Sequence, residues 1–344
     1  MKKHAIIPIF IPHKGCPNDC VFCNQKVITA RTANVTENDV RRTIEQYLST
    51  LDLRNLETIE LAFYGGSFTG IPIEEQSAFL AIAKEYKDLS IIQKIHMSTR
   101  PDYIDEAILE NLLRYDADVI ELGVQSFHPQ VLKASNRGHT QEDIYRACNL
   151  IKDFGFELGI QLMIGLPEDT PERCVYSAME TVKIAPSIAR LYPTIVINDT
   201  ELERMYRCGE YTPLTTDEAV SITKEMYRII DNAGINIIRV GLKSTDLVNE
   251  NGMIQGHTYH PAFRQLVQGE IAKEDLENSL SQLAKAGRLP ADGKIIFACS
   301  PLSFSNMVGN KAVNKKYFAN KYPSLKIRFT TDSSIAEGRY NVLV

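Results

Sequence analysis

Three cysteines fall within eight residues near the start of the sequence, in the string Cys16-Pro-Asn-Asp-Cys20-Val-Phe-Cys23. Three thiolates from one short loop can bind three irons of a cubane [4Fe–4S] cluster and leave the fourth iron without a protein ligand. Most iron–sulfur proteins close the cluster with a fourth cysteine, whereas an open coordination position is typical of a metal site that performs chemistry. The triplet therefore predicts a reactive cluster bound by Cys16, Cys20 and Cys23.

Two other interpretations of the triplet remain open. Zinc needs a fourth ligand, and His13 is near enough in the sequence to complete a Cys₃His site. Cys20 and Cys23 also have the spacing of a dithiol redox pair, although they do not open a helix in a thioredoxin-like pattern. The remaining cysteines are scattered, as is typical of reduced thiols rather than of a disulfide framework. They are Cys148, Cys174, Cys208 and Cys299.

The composition is that of an ordinary globular protein. The 344 residues are 44% apolar and 24% charged, with a net charge of −5. This balance excludes a chain-wide electrostatic footprint for nucleic acid or an anionic membrane, and no apolar run approaches the length of a membrane span. The first residues resemble a signal peptide only weakly, because Pro8 interrupts the apolar run. We therefore expect a cytoplasmic protein that does not enter a membrane.

Apolar strand-like runs alternate with amphipathic helical patterns over most of the chain. Strands are predicted at 4–11, 58–64, 91–98, 118–124, 157–165 and 190–197, and helices at 37–51, 74–86, 104–115, 141–154 and 171–184. The strand runs suit parallel strands that are buried on both faces. Six βα units fall short of the eight that close a complete barrel. We therefore predict an α/β fold built on a partial, TIM-like (βα)₆ barrel, with chemistry at the C-terminal ends of its strands.

A second, smaller domain is predicted after this barrel. A helix at 215–233 and a strand at 235–240 complete the barrel part, so its domain is predicted to span residues 1–242. The alternation then weakens into helices at 261–286 and 303–322 and strands at 294–299, 325–329 and 340–344. This pattern predicts a small α+β C-terminal domain at 243–344. Thr36 and Thr140 stand where helix N-caps belong, and Gly155 stands where a helix should end.

Polar or glycine-rich clusters follow successive predicted strands. They are residues 64–68 after the second strand, 97–102 after the third, 121–127 and 136–140 after the fourth, and 161–167 after the fifth. Each cluster alone has an ordinary explanation, since Pro101 and Pro167 end strands and Thr140 caps a helix. Five clusters in order at one edge of a parallel sheet instead favour a ligand site.

These strings resemble the radical S-adenosylmethionine (SAM) superfamily, in which SAM chelates the open iron and is cleaved to a 5′-deoxyadenosyl radical. The cysteine triplet carries an aromatic residue, Phe22, before its last cysteine. Gly65-Gly66-Ser67 resembles the loop that binds the SAM amino group, with Ser67 in place of the usual glutamate. The resemblance implies that Ser98, Gln125, Arg137 and Gln161 contact the ribose and the carboxylate of SAM, and that Leu166 flanks the adenine. A bidentate pair between Arg137 and a carboxylate, and amide contacts to ribose hydroxyls, are chemically suitable.

Within that superfamily the chain resembles the branch of oxygen-independent coproporphyrinogen oxidases and, more closely, the catalytic subunit of Elongator. The strings at 190–202 and 207–213 extend this likeness from about Ile6 to Lys243. The Elongator family acts on the wobble uridine of tRNA and joins a radical domain to an acetyltransferase domain. Two departures stand out: Cys16 and Cys20 are closer together than in that family, and the residues after Lys243 are too few for an acetyltransferase domain. Complete Elongator-type carboxymethylation by this chain alone is therefore not expected.

Substrate-facing residues are sought at the last strands and in the tail. Tyr192 and Lys243 are predicted to face the barrel mouth, where Tyr192 would relay a hydrogen atom or a proton or simply bond its hydroxyl at the rim. Six basic residues are interleaved with Tyr317, Phe318 and Tyr322 between positions 300 and 331, a composition typical of RNA contact or of a solvated helix face. The six are Lys311, Lys315, Lys316, Lys321, Lys326 and Arg328.

The leading hypothesis is a radical SAM enzyme that modifies tRNA or another RNA and receives electrons from a reductase or a flavodoxin-type donor. A radical SAM enzyme acting on a small molecule or a peptide is the first alternative. A zinc-stabilised, non-catalytic RNA-binding module is the second.

Overall fold

The architecture is a curled half-barrel followed by a small α+β unit. The structure is a computed structural model that describes residues 4–11, 16, 20–24, 35–52, 56–242 and 254–344. The barrel strands are β1 (His4–Ile11), β2 (Thr58–Gly65), β3 (Lys94–Thr99), β4 (Val119–Gln125), β5 (Glu157–Ile164), β6 (Ile188–Pro193) and β8 (Asn236–Val240). The helices of this part are α1 (Glu37–Thr50), α2 (Ile73–Asp88), α3 (Glu106–Arg114), α4 (Pro129–Ala134), α5 (Gln141–Asp153), α6 (Pro171–Ile184), α7 (Glu201–Arg207) and α8 (Thr216–Asn232).

The barrel strands form one seven-stranded sheet in the order β1-β2-β3-β4-β5-β6-β8, and every neighbouring pair is parallel. The predicted partial barrel is therefore confirmed, and the strand predicted at 235–240 supplies its seventh member. Because the strands are parallel, all their C-terminal ends meet at one edge. That edge carries the loops that the sequence singled out.

Local sequence explains why the helices begin and end where they do. Thr36 and Thr140 both form the predicted N-caps, each in a capping box with the aspartate three residues later. Thr215 makes the same arrangement with Glu218 at the start of α8. Gly155 follows α5 with a φ of +82°, a conformation that glycine adopts without strain.

The main core lies between the sheet and its outer helices. Fully buried strand residues such as Ile7, Leu61 and Ile120 pack against helix residues such as Leu80 and Leu112. Burial of this kind supplies the main free energy that holds the alternating elements together. The strand faces that point away from these helices carry the polar groups of the site.

Two predicted elements differ from the structure. The strand predicted at 190–197 is interrupted after Pro193, and Val196–Ile197 forms a separate strand β7, antiparallel to β9 (Ile254–Gln255). The single helix predicted at 303–322 is divided into α10 (Phe304–Val308), a 3₁₀ turn (Asn310–Ala312) and α11 (Val313–Lys321). The helix breaks because Gly309 has a φ of +79° and two left-handed residues follow it.

The C-terminal unit has its own core around a mixed three-stranded sheet. The strands are β10 (Lys294–Cys299), β11 (Lys326–Thr331) and β12 (Tyr340–Leu343), with β10 in the centre. Helix α9 (Phe263–Lys285) belongs to both cores, because its first half packs on the barrel and its second half packs on this sheet. The predicted division at residues 242 and 243 stays a prediction. Among the described helices, none combines the length and apolar character needed to cross a bilayer.

Phe297 provides a test of the second core. Its fully buried ring lies 4.8 Å from the ring of Phe318 and 5.3 Å from that of Phe329. Phe297→Ala should lower the free energy of unfolding by about 3–5 kcal/mol, because it leaves a cavity and removes both ring contacts. Urea denaturation followed by circular dichroism measures this. Leu302→Ala is the control, since Leu302 is 74% exposed, and an equal loss in both variants would contradict the prediction.

Candidate active site

The cysteine segment is fixed to the C-terminal edge of the sheet by backbone hydrogen bonds. The amide of Val21 donates to the carbonyl of Ser135 at 3.2 Å, and the amide of Leu202 donates to the carbonyl of Val21 at 2.7 Å. The amide of Cys23 donates to the carbonyl of Cys20 at 2.9 Å, which forms a tight turn. The side chain of Val21 is buried in a small apolar cluster, against which the half-buried Phe22 packs. These contacts place Cys20 beside the loops that follow β3 and β4.

Two buried guanidinium groups face Cys20. Nη1 of Arg137 lies 3.2 Å from the Cys20 sulfur and Nη1 of Arg100 lies 3.9 Å from it. Arg100 and Arg137 are only 4% and 6% exposed. Burial raises the pKa of the Cys16 thiol, while Arg100, the backbone amide of Ser67 and Arg137 act in the opposite direction. Positive charges at this position favour thiolates, the form in which cysteine binds iron.

Arg100 is held by groups on three sides. Its Nε and Nη2 donate to the two carboxylate oxygens of Asp102 at 3.0 and 2.8 Å, and Nη2 also donates to the carbonyl of Arg137 at 2.5 Å. Its backbone amide donates to Oγ of Ser67 at 3.1 Å. His139 is buried 3.9 Å from Asp102, and burial together with Arg137 lowers its pKa to about 3. The net charge of this group of side chains is therefore set by Arg100, Arg137 and Asp102.

The glycine pair after β2 lets two loops approach closely. The Gly66 amide donates to the carbonyl of Ile11 at 2.9 Å, and a Cβ at Gly65 would lie 2.6 Å from that oxygen. Gly65 also has a φ of +113°. The Ser67 side chain is buried and bonds Thr99 at 2.7 Å, so it orders the loop while its backbone amide faces Cys16.

Two of the residues predicted to contact SAM are in contact with each other. Nε2 of Gln161 donates to Oε1 of Gln125 at 3.1 Å, across neighbouring strands. Gln125 has a left-handed φ of +68°, and backbone strain of this kind is concentrated at functional sites. Ser98 lies half-buried near the end of β3, and Leu166 is buried just after β5. The roles of all four toward SAM stay predictions.

The interior of the half-barrel holds a charged network that the sequence analysis missed. Nε of Arg190 lies 2.7 Å from Glu121, and Nη2 donates to the hydroxyl of Tyr64 at 2.8 Å. His96 lies 2.5 Å from Glu60 and 3.6 Å from Glu121. Burial raises the pKa of Tyr64 to about 12, so its hydroxyl stays protonated. The available signal was a charged or polar residue at alternate positions of otherwise apolar strands.

The two residues predicted as catalytic have different outcomes. Tyr192 lies at the end of β6, where Nη1 of Arg190 donates to its hydroxyl at 3.3 Å. Burial raises the pKa of Tyr192, so it stays protonated at neutral pH. Its part in catalysis stays a prediction. Lys243 and the alternative zinc ligand His13 lie outside the described residues.

The six basic residues predicted between positions 300 and 331 to contact RNA are all exposed. Lys321, however, pairs with Glu277, which also accepts hydrogen bonds from Tyr317 and Tyr322. Phe318 is fully buried in the C-terminal core. Four of the interleaved aromatic and basic groups, namely Lys321, Tyr317, Tyr322 and Phe318, are therefore occupied within the protein. The remaining exposed basic residues are Lys311, Lys315, Lys316, Lys326 and Arg328.

The donor set of the cysteine segment fits an iron–sulfur cluster. Cys16 and Cys20 are near enough to interact electrostatically, and guanidinium groups and a backbone amide surround them. Such groups compensate the negative charge of a thiolate-bound cluster. Within the part of the chain that the structure describes, no three His, Cys, Asp or Glu side chains form a ready-made metal site. The assignment of all three cysteines to one cluster therefore stays a prediction.

Comparisons with known proteins agree with this geometry. The family model of the radical SAM superfamily matches residues 10–178, and that of the radical SAM C-terminal domain matches residues 186–273. A tRNA uridine(34) acetyltransferase of Methanocaldococcus infernus is 33% identical over 257 residues, covering 63% of this chain and 48% of that protein. Elongator complex protein 3 of Dictyostelium discoideum is 29% identical over 196 residues, covering 51% of this chain and 35% of that protein. The chain thus spans half or less of the length of these curated relatives.

A solved structure, that of the archaeal Methanocaldococcus infernus Elp3 with an N-terminal deletion, shares the fold. Its TM-score is 0.60 at 23% identity, and the match covers 83% of this chain and 64% of that one.

The interior network gives a testable expectation for stability. Glu121→Gln removes the carboxylate that neutralises the buried Arg190, so it should lower the free energy of unfolding by about 3–5 kcal/mol. Chemical denaturation at neutral pH measures this. Glu85→Gln is the control, because the Glu85 pair with Arg41 lies on the surface and should leave the unfolding midpoint unchanged. Equal midpoints for Glu121→Gln and the parent protein would contradict the expectation.

Proposed function

Because the chain belongs to the radical SAM superfamily, we propose that it binds a [4Fe–4S] cluster through Cys16, Cys20 and Cys23 and modifies tRNA or another RNA. When bound, the cluster supplies the electron that cleaves SAM into methionine and a 5′-deoxyadenosyl radical. The observation that carries the proposal is the pair of buried guanidinium groups that face Cys20 at the C-terminal edge of a parallel half-barrel.

The chain's own residues are suited to holding SAM at this edge. Arg137 carries a guanidinium that can take the methionine carboxylate in a bidentate pair. Gln125 and Gln161 offer amide groups for the ribose hydroxyls. The Gly65-Gly66-Ser67 turn brings backbone groups close to Cys16, where the amino group of SAM would lie.

An RNA substrate is supported by the relatives named tRNA uridine(34) acetyltransferase and by the exposed basic residues of the C-terminal unit. Lys311, Lys315 and Lys316 form no ion pair within 4 Å among the described residues, so they remain available to phosphates. The acetyl-group chemistry of those relatives is not part of this proposal.

The proposal includes a reductase or a flavodoxin-type protein as electron donor. It also includes a cytoplasmic location, in keeping with Cys148, Cys174 and Cys299, which are buried and form no disulfide.

SAM cleavage is the first test of the proposed function. Protein reconstituted anaerobically with iron and sulfide should be brown, and addition of dithionite and SAM should release 5′-deoxyadenosine, which liquid chromatography quantifies. Cys20→Ala should lower both the iron content and the release of 5′-deoxyadenosine by at least tenfold, because it removes one of three cluster ligands. Cys148→Ala is the matched control, since Cys148 is buried in the helical layer and lies away from the site.

Stoichiometric zinc in a colourless protein, with no 5′-deoxyadenosine, would overturn the proposal in favour of a zinc-stabilised module. Release of 5′-deoxyadenosine that falls equally in Cys20→Ala and Cys148→Ala would argue against the cluster assignment.

RNA binding is the second test. Filter binding of unmodified tRNA at several salt concentrations should give an association constant that falls steeply with salt. The triple variant Lys311→Gln, Lys315→Gln, Lys316→Gln should lessen the logarithmic salt slope by about 1 for each phosphate contact that it removes. Lys84→Gln is the control, because Lys84 pairs with Asp88 and Asp116 on the barrel.

A flat salt response in the parent protein would exclude the proposed phosphate contacts. A steep response that the triple variant leaves unchanged would place RNA on another surface. If 5′-deoxyadenosine is formed but tRNA does not bind, a small-molecule or peptide substrate is favoured.

A further inference from the structure

The guanidinium of Arg100 has most of its hydrogen-bonding capacity used within the protein. Its Nε and Nη2 are taken by Asp102 and by the carbonyl of Arg137. The side chain is 4% exposed, and its remaining nitrogen, Nη1, donates to the Cys20 sulfur at 3.9 Å. A guanidinium held in this way is a fixed positive charge directed at the sulfur atom. It is not free to reorient and bind a substrate.

We infer that Arg100 sets the reduction potential of the cluster, with Asp102 as the residue that positions it and partly offsets its charge. This inference rests on the proposed cluster at Cys16, Cys20 and Cys23. Reduction adds one negative charge to a cluster that already carries thiolates, so a nearby buried cation stabilises the reduced form more than the oxidised form. Arg100 therefore raises the potential and makes the cluster easier to reduce.

The contacts around Arg100 explain why its guanidinium cannot move away from Cys20. The backbone amide of Arg100 is tied to Ser67, and Ser67 is in turn bonded to Thr99. Asp102 follows in a 3₁₀ turn that begins with Pro101, which restricts the backbone. Asp102 lies on the side of the guanidinium away from Nη1, so Arg100 and Asp102 form a dipole with its positive end toward Cys20. His139 carries no charge at neutral pH, because burial and Arg137 lower its pKa to about 3.

The experiment measures the midpoint potential of the reconstituted cluster, without SAM, by electron paramagnetic resonance at a series of solution potentials. Arg100→Gln should lower the ratio of reduced to oxidised cluster at least tenfold at a fixed potential, which corresponds to about 59 mV for a one-electron couple. Arg100→Lys keeps the charge and should restore most of the difference. Arg228→Gln is the control, because Arg228 pairs with Asp275 where α8 and α9 pack together.

Asp102→Asn is an independent test, because it should shift the midpoint potential in the opposite direction from Arg100→Gln. It removes the opposing negative charge while the Arg137 carbonyl and Ser67 still hold Arg100, so the midpoint potential should rise. If Arg100→Gln fails to assemble a cluster, this variant decides the question. Iron content per chain confirms that each variant is fully loaded before its potential is compared.

Equal potentials in fully loaded Arg100→Gln and parent protein would overturn the inference and leave Arg100 a structural residue of the loop. A fall in potential, or none, in Asp102→Asn would do the same. Failure of the parent protein to form any cluster would instead overturn the proposed function, and this inference with it.

Discussion

The arrangement of the active-site edge depends on one constraint, which is that the buried guanidinium of Arg100 must be fully hydrogen-bonded. A charged group removed from water is very costly unless partners compensate it. Here the partners come from separate loops: Asp102 after β3, the Arg137 carbonyl after α4, and Ser67 after β2, which bonds the backbone of Arg100. The hydrogen bonds of the Arg100 side chain and backbone together therefore fix these three loops relative to one another. The cysteine segment docks on the surface that results.

The fold was largely predictable because its signals are local. Runs of apolar residues, threonine N-caps and the glycine after α5 each report on a few neighbouring residues, and the parallel sheet follows from their alternation. The break at Gly309 was missed because a helical pattern persists on both sides of it. Its cause is tertiary: the buried amide of Asn314 donates to the carbonyls of Gly269 and Met307, which requires the chain to turn between α10 and α11.

The site was predictable only where residue type and spacing state the chemistry. Three cysteines in one loop indicate metal ligands, and paired glycines indicate that two backbone segments approach closely. Arg100 and Asp102 stood inside a recognised strand-end cluster, but their sequence does not say that they pair with each other or that Arg100 faces Cys20. Glu121 and Arg190 are separated by 69 positions and meet only because β4 and β6 each lie beside β5. Contacts of this range need the sheet order before they can be predicted.

The two buried charged clusters differ in a way that separates structure from function. In the barrel interior, the carboxylate of Glu121 pairs with Arg190, and that of Glu60 accepts hydrogen bonds from His96 and His4. At the cysteine segment, two guanidinium groups face one carboxylate among the described residues. Evolved interiors balance their charges unless a ligand completes the balance, because an uncompensated buried charge destabilises the fold. The positive charge of the two guanidinium groups at Cys20 has the sign that thiolates, an anionic cluster and a cofactor carboxylate require.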